Sequence, residues 1–306
     1  MKQILVITSS YDLTVDYIIS KFEALNFFRL NTDRLDEYQI SFYNSRWEII
    51  DSFKSITNND VKAIYYRKPV LPHLDQFNPQ YHNYMHKEIL TLIEGVIEQF
   101  EGNCLSKPSI LKRADNKIVQ LQLAEKIGLQ MPLSLITNSN HSAKIFCTDK
   151  KTIVKPISVG KLLYENKVGI IQTNYVDPSF GFKGLELAPS YFQEYVDKDY
   201  ELRVTVVHDQ FFPVRIETTE KVDWRKAKKG NIQYFKDILP DNIKSLCLQM
   251  MRLLSLKYAA FDFIVSKGQY VFLELNANGQ WAWLEQELNL SISDSIIRYL
   301  VGLKNE

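Results

Sequence analysis

Two apolar runs near the carboxyl end flank a single short turn. They are Ala260-Phe261-Asp262-Phe263-Ile264-Val265 and Tyr270-Val271-Phe272-Leu273-Glu274-Leu275-Asn276, joined by Ser266-Lys267-Gly268-Gln269. Aromatic and β-branched runs around a glycine-bearing turn form a β-hairpin. With the turn centred on Gly268, Asp262 stands directly opposite Glu274, and Asn276 shares their face because side chains alternate along a strand. The other face then carries Phe261, Phe263, Val265, Val271, Leu273 and Leu275, an evident core. Opposed side chains on one face lie about 5 Å apart at Cβ. Two carboxylates that close repel and raise each other's pKa, and a hard cation removes the conflict. An all-oxygen set of two acids and an amide suits Mg²⁺. The alternative at this point is a polar face turned to water.

The chain has 306 residues, enough for two or three packed subdomains. A formal net charge of +1 gives no reason to expect nucleic-acid binding through bulk charge. No apolar run approaches the roughly 20 residues of a membrane helix. The start, Met1-Lys2-Gln3-Ile4-Leu5-Val6-Ile7-Thr8, reads as a short strand and lacks a signal-peptide pattern. The cysteines, Cys104, Cys147 and Cys247, are odd in number and far apart. That spacing argues against a disulfide framework or zinc cluster and for a reducing compartment, so a cytoplasmic location is expected.

The pattern along the chain is α/β. Strands are expected at Ile4–Ile7, Phe27–Leu30 and Ala63–Tyr66, helices at Thr14–Leu25 and Tyr84–Phe100, and a hairpin across Asn44-Ser45-Arg46. This defines an N-terminal α/β domain over residues 1–108. Pro108 opens a central unit, 109–190. It holds a helix from Lys112 to Gly128, the strand Ser134–Thr137, a spacer, the strand Thr152–Pro156, a polar segment from Ser158 to Gly169, and a strand at Ile170–Thr173. A third unit, 191–306, is mostly strands, beginning with Tyr191–Val196 and interrupted by a helix over Ile243–Leu256.

Several upstream residues suit a nucleotide. Phe192-Gln193-Glu194-Tyr195-Val196 stops at Asp197-Lys198-Asp199. The backbone of such a strand-to-loop hinge, at Glu194, Tyr195 and Val196, can hold adenine between apolar side chains. Glu201 can accept ribose hydroxyls. Lys117 and Lys155 can meet phosphate oxygens. Ser158 to Gly169 can act as a lid, although its two glycines, Gly160 and Gly169, make a weak phosphate signal. No Walker-type pattern occurs. Arg203 and Arg215 lie on consecutive strands around His208-Asp209-Gln210. With a three-residue turn they face each other and call for an anion between them; with a two-residue turn they are offset by one. Pairing with surface acids such as Glu217 is the alternative. His82 and His86 are spaced for a helical zinc pair, but Glu88 does not complete a His-Glu-x-x-His motif. Trp281 and Trp283 read as packing residues.

The ordered set Lys117, Lys155, Glu194-Tyr195-Val196, Glu201, Arg203, Arg215, Asp262 and Glu274-x-Asn276 resembles the ATP-grasp superfamily. The tail Glu274-Leu275-Asn276-Ala277-Asn278-Gly279-Gln280-Trp281 is similar to the Glu-x-Asn-Pro-Asn-Gly-Gln-Trp string of microviridin-type, or graspetide, peptide-modifying ligases, with Ala277 in place of proline. Phe27–Asp33, Tyr65-Tyr66-Arg67-Lys68-Pro69 and Asp223-Trp224-Arg225 are also similar to that group. The resemblance implies an ATP-grasp fold: an N-terminal α/β domain, a central lid domain and a C-terminal antiparallel-sheet domain. It implies ATP and Mg²⁺ as cofactors, with Asp262, Glu274 and Asn276 as metal ligands. Lys117, Lys155, Glu194, Tyr195, Val196, Glu201 and Asn276 would contact the nucleotide. Arg203 and Arg215 would stabilise the transferred phosphoryl group or orient the substrate carboxylate. Arg67 and Arg225 would touch an acidic peptide. The implied partner is a ribosomally made precursor peptide with a leader segment, for which the Glu201–Thr218 hairpin and the helix around it are candidate docking surfaces. A homodimer is implied too. The implied chemistry is phosphorylation of an Asp or Glu side chain, then attack by a hydroxyl or amine to give a lactone or lactam. Two alternatives remain open: an amino-acid ligase acting on a peptide or protein end, and a regulatory protein that binds nucleotide without turnover.

Overall fold

The computed structural model describes residues 2–158, 160–164, 167–228 and 230–303. The chain opens with β1 (Gln3–Thr8), α1 (Leu13–Lys21) and β2 (Phe27–Asn31). An antiparallel trio follows, β3 (Gln39–Tyr43), β4 (Arg46–Ile50) and β5 (Ser55–Thr57), and then β6 (Val61–Tyr66), α2 (Pro79–Glu98) and β7 (Asn103–Leu105). The parallel sheet runs β2-β1-β6-β7. Its strands are apolar on both faces, as a sheet covered by helices requires. Asp12 starts α1 by accepting from the amides of Thr14 and Val15. Asn78 does the same for Gln80 at the head of α2, where Pro79 has no amide hydrogen to satisfy.

The single helix expected from Lys112 to Gly128 is two helices, α3 (Pro108–Ala114) and α4 (Lys117–Ile127). Asn116 breaks them apart: its side chain accepts from the amides of Ile118 and Val119 and caps a new helix. Lys117 is therefore the first residue of α4 rather than an interior one. Gly128 closes α4 with φ 83°, the left-handed conformation that glycine tolerates.

Next come β8 (Ser134–Thr137), α5 (Asn140–Thr148), β9 (Thr152–Lys155), β10 (Lys161–Tyr164), β11 (Lys167–Ile170), β12 (Asn174–Tyr175) and β13 (Ser190–Glu194). The expected spacer is helix α5, capped by Ser139. The polar segment read as a lid is the antiparallel hairpin β10–β11; residues 159, 165 and 166 of that segment lie outside the described residues. The central sheet runs β12-β9-β13-β8. The strand assigned by sequence to the start of the third unit thus pairs into the central sheet, on β8 and β9.

The last sheet is built from β14 (Tyr200–Val207), β15 (Gln210–Thr218), β16 (Ile232–Lys236), β17 (Tyr258–Ser266) and β18 (Gln269–Asn276), with α6 (Asp241–Leu253) inserted before β17. It is antiparallel throughout, in the order β16-β15-β14-β17-β18. One face, with Leu202, Val204, Phe261, Phe263 and Phe272, is buried with Cys247, Met250 and Met251 of α6. The chain ends in α7 (Ala282–Leu288) and α8 (Ile292–Val301). Trp281, Ile292 and Ile296 share a core with Ile4, Val6 and Leu105 of the parallel sheet, so the first and last units pack together. Among the described residues, no helix is long and apolar enough to cross a membrane.

Candidate active site

The β17–β18 hairpin places Asp262 opposite Glu274 and Ala260 opposite Asn276. Its turn, however, is the two-residue Lys267-Gly268, both with positive φ (49° and 76°), and Ser266 pairs with Gln269. Continued from that turn, the register would put Leu273 opposite Asp262. A bulge between Phe263 and Asp262 corrects it: Phe263 pairs with Phe272, Asp262 with Glu274, and Leu273 has no partner of its own. Phe272, not Leu273, is therefore in the core, and Leu273 lines the cleft beside Glu274.

The polar face continues onto β14. Arg203 pairs with Asp262 across the strands, and its Nη1 lies 2.8 Å from each carboxylate oxygen. Arg215 does not join it. The β14–β15 turn is two residues long, so Arg215 pairs with Leu202, on the opposite face. Its guanidinium lies 3.2 Å from Glu217 and stacks on Tyr200 and Phe235. The expected pair of facing arginines does not form, and Arg215 is outside the site.

Lys117 Nζ reaches Glu274 Oε2 at 2.5 Å from the start of α4. Lys155, at the end of β9, bonds Gln193 Oε1 at 3.0 Å and sits over the Tyr191 ring. Burial, with the Lys117 charge nearby, pulls the Lys155 ammonium down to about 8 against the pull of Glu274. Burial alone would favour protonation of Glu274, but Lys117 and Lys155 outweigh it and hold that carboxyl well below the usual carboxylate range. Asp262 moves the other way: burial and the Glu274 charge raise it against Arg203. Asn276 bridges the two acids through Nδ2, 2.9 Å from Asp262 Oδ2 and 3.3 Å from Glu274 Oε1.

Lys155, Gln193, Asp262 and Glu274 line one end of a cleft of about 660 Å³, open to solvent. Pro132, Ile153, Ile264 and Leu273 line its apolar part, and Glu194, Tyr195 and Val196 form an edge. Glu201 also lines it, bonded to Lys198 and with its carboxyl raised by burial. Arg225 enters at the polar end, with Nε 2.9 Å from Asp223. Burial opposes its charge, but Asp223, Asp262 and Glu274 hold its guanidinium above its ordinary value. Lys226 ties the same segment to β12, with Nζ 2.6 Å from the Thr173 carbonyl and 2.9 Å from Asn174 Oδ1.

Arg67 is not a surface contact for a peptide. It is 1% exposed, lies 3.1 Å from Asp12, and donates to Gln280. Nothing in the sequence string Tyr65-Tyr66-Arg67 signalled this partner more than 200 residues away. His82 and His86 each bond a backbone carbonyl, of Phe77 and Pro72, at 3.0 Å. Trp281 is fully buried, and Trp283 packs on Trp224 and Tyr234.

Oxygen donors alone on one wall, with four cationic side chains around them, fit a hard cation that carries phosphate. An apolar pocket beside a strand-to-loop edge fits a purine. Fold and site together define an ATP-dependent ligase of the ATP-grasp type. Residues 3–111 match the family model of the MvdD pre-ATP grasp domain, and residues 114–300 match that of the RimK-like ATP-grasp domain. The chain belongs to the RimK-like ATP-grasp family. The family's cofactors, ATP and Mg²⁺, come with that membership.

Over the whole fold the chain is similar to the macrocyclase MdnC of Microcystis aeruginosa MRC, solved with its precursor peptide MdnA. The TM-score is 0.89 at 28% identity, covering 98% of this chain and 100% of the other. A RiPP-associated ATP-grasp ligase of Chryseobacterium gregarium, solved with ADP and a leader and core peptide, gives a TM-score of 0.86 at 26% identity, over 100% of this chain and 98% of the other. A probable alpha-L-glutamate ligase of Haemophilus influenzae is 24% identical over 216 residues, 67% of this chain and 70% of that protein.

Proposed function

We propose that this ligase activates Asp or Glu side chains of a ribosomally made precursor peptide with ATP and closes them into intramolecular esters or amides. The observation that carries this reading is the opposed Asp262–Glu274 pair, ringed by Lys117, Lys155, Arg203 and Arg225 at the polar end of the cleft. Asp262, Glu274 and Asn276 would hold Mg²⁺, which when bound screens negative charge on the phosphate oxygens. The protein's own groups do the rest. Pro132, Ile153, Ile264 and Leu273 enclose the adenine beside Glu194–Val196, and Glu201 receives the ribose. Lys117 and Lys155 neutralise the phosphates. Arg203 and Arg225 hold the reacting carboxylate and γ-phosphate in line.

A carboxylate oxygen of the peptide then bonds to the γ-phosphorus as the bond to ADP breaks. A hydroxyl or amine of the same peptide adds to the carbonyl of the acyl phosphate. Phosphate leaves, and the nucleophile's proton is lost to solvent. Arg225, with a side chain 56% exposed, stands at the polar end of the cleft, where a peptide side chain can enter.

The peptide's leader would dock in a groove between β15 and the start of α6, with Phe211, Pro213, Leu239 and Leu248 as the apolar lining and Asp241 paired to Lys244 at 2.9 Å on its rim. This arrangement suits a helix with an apolar stripe. Leu248→Glu should weaken binding of a labelled leader at least tenfold; an unchanged affinity removes the leader from this groove. A homodimer acting in the cytosol completes the proposal.

The Haemophilus likeness favours a second reading, addition of free glutamate to a peptide end. Mass spectrometry separates the two, since each crosslink releases one water and lowers the mass, whereas glutamate addition increases it. The core of the proposal is tested by Asp262→Ala and Glu274→Ala, incubated with a precursor peptide encoded beside the ligase. Mg²⁺-dependent ADP release and water-loss products should fall by about 100-fold or more. Activity near the wild type in either variant would sink the site assignment.

A further inference from the structure

Arg67 carries a full charge in a buried position, at the end of a strand in the first unit. Its Nε lies 3.1 Å from Asp12 Oδ2, and its Nη2 donates to Thr14 Oγ1 at 3.2 Å and to Gln280 Oε1. Thr14 Oγ1 donates to the same Gln280 oxygen at 3.2 Å. Two donors of the N-terminal unit thus fix one exposed side chain in the loop that follows β18.

That loop touches the site through its backbone. The Gln280 carbonyl accepts from Arg203 Nη2 at 3.4 Å, while Nη1 of the same guanidinium meets both oxygens of Asp262. One residue earlier, the Gly279 carbonyl accepts from the Tyr258 hydroxyl at 2.8 Å. A Cβ at position 279 would lie 2.7 Å from Arg203 Nη2 and 2.9 Å from Ala260 Cβ. The 279–280 backbone is therefore a wall against one side of the guanidinium. Without that wall, a long flexible side chain has several rotamers open to it and loses entropy on meeting a ligand.

We propose that Arg67 and Gln280 are positioning residues for Arg203, and that the N-terminal unit in this way forms part of the Mg²⁺–nucleotide machinery. The inference rests on the assignment of Asp262 to that machinery. A group held in place before the ligand arrives contributes its full interaction, and small displacements of such a group cost much of it.

The test uses the full chain and a non-hydrolysable ATP analogue, titrated by calorimetry with and without Mg²⁺. Gln280→Leu removes the acceptor at nearly constant size. It should melt at the wild-type temperature, weaken Mg²⁺-dependent binding about tenfold, and change Mg²⁺-free binding less than about twofold. Gln280→Glu keeps an acceptor for Arg67 and should stay within about threefold of the wild type. Gly279→Ala pushes on Arg203 from the other side and should give the same Mg²⁺-selective loss, which supplies a second variant if Gln280→Leu folds poorly. Wild-type Mg²⁺ dependence in Gln280→Leu and Gly279→Ala, or equal loss in the Leu and Glu variants, overturns the proposal. Asp262→Ala is the control that separates the two claims: if it retains the full Mg²⁺ effect, the site assignment itself fails.

Discussion

With Lys155 against the phosphates, as proposed, nucleotide binding is coupled to proton uptake. Burial, with Lys117 nearby, pulls the Lys155 ammonium from 10.5 down to about 8. Polyphosphate against the side chain favours the charged form and moves it back toward its ordinary value. The gap between about 8 and 10.5, at about 1.4 kcal/mol per pH unit, bounds the coupling at about 3 kcal/mol. The sign follows from the proton count. The bound state holds the proton more tightly than the free state, so affinity falls as pH rises through this window. The loss should be less than about twofold between pH 7 and 8 and about fifteenfold between pH 8 and 9.5. Proton uptake should be about half a proton at pH 8 and close to one at pH 9. Calorimetry of ADP binding at saturating Mg²⁺, in buffers of different ionisation enthalpy, reads both quantities. Lys155→Met binds more weakly at every pH but should lose the slope and the uptake. The same slope in both proteins refutes the argument. Stability of the free protein runs the opposite way: the unfolded chain binds this proton more tightly, so Lys155 costs stability below pH 8 and that cost is relieved as pH rises from 8 toward 10.5.

The two arginines of the β14–β15 pair should separate cleanly. Arg203→Ala leaves Asp262 without its 2.8 Å partner and should lower turnover about 100-fold, whereas Arg215→Ala should keep turnover within about twofold. Steady-state ADP release checks both, and a large loss from Arg215→Ala would contradict the observed register. Trp281→Ala removes a fully buried ring where the first and last units share a core, and should cost about 3–5 kcal/mol in urea unfolding. A cost below about 1 kcal/mol would mean that the units are held together elsewhere.

Much of the fold follows from local pattern. Strands β1, β2 and β6 of the parallel sheet are short, apolar and bounded by turn residues, and lie where the sequence places them; β7, three residues long, is not among the expected strands. Local chemistry that competes with pattern was harder to read. Apolar spacing runs unbroken from Leu111 to Ile127, but the side chain of Asn116 takes two amides for itself and splits the helix. That split gives Lys117 its place on the helix's first turn, from which it reaches Glu274. The partner of Arg67 was not legible at all. Gln280 is 213 residues away, and its contact depends on how the first and last units dock.

The β17–β18 hairpin shows how a correct pair can rest on an incorrect turn. Centring the hairpin on Gly268 places Asp262 opposite Glu274, yet the chain turns on Lys267 and Gly268 together. A regular hairpin from that two-residue turn would carry Glu274 to the side of Phe261, in the core, and leave Asp262 facing Leu273. The bulge at Leu273 reverses this over one residue. Leu273 stays on the polar side, where it lines the cleft with Ile264 and Ile153. A single extra residue thus brings the second carboxylate to the polar wall, beside an apolar side chain that lines the cleft. An irregularity that interrupts the ladder thus sets Glu274 beside Asp262, as bulges near active sites commonly do by re-aiming side chains.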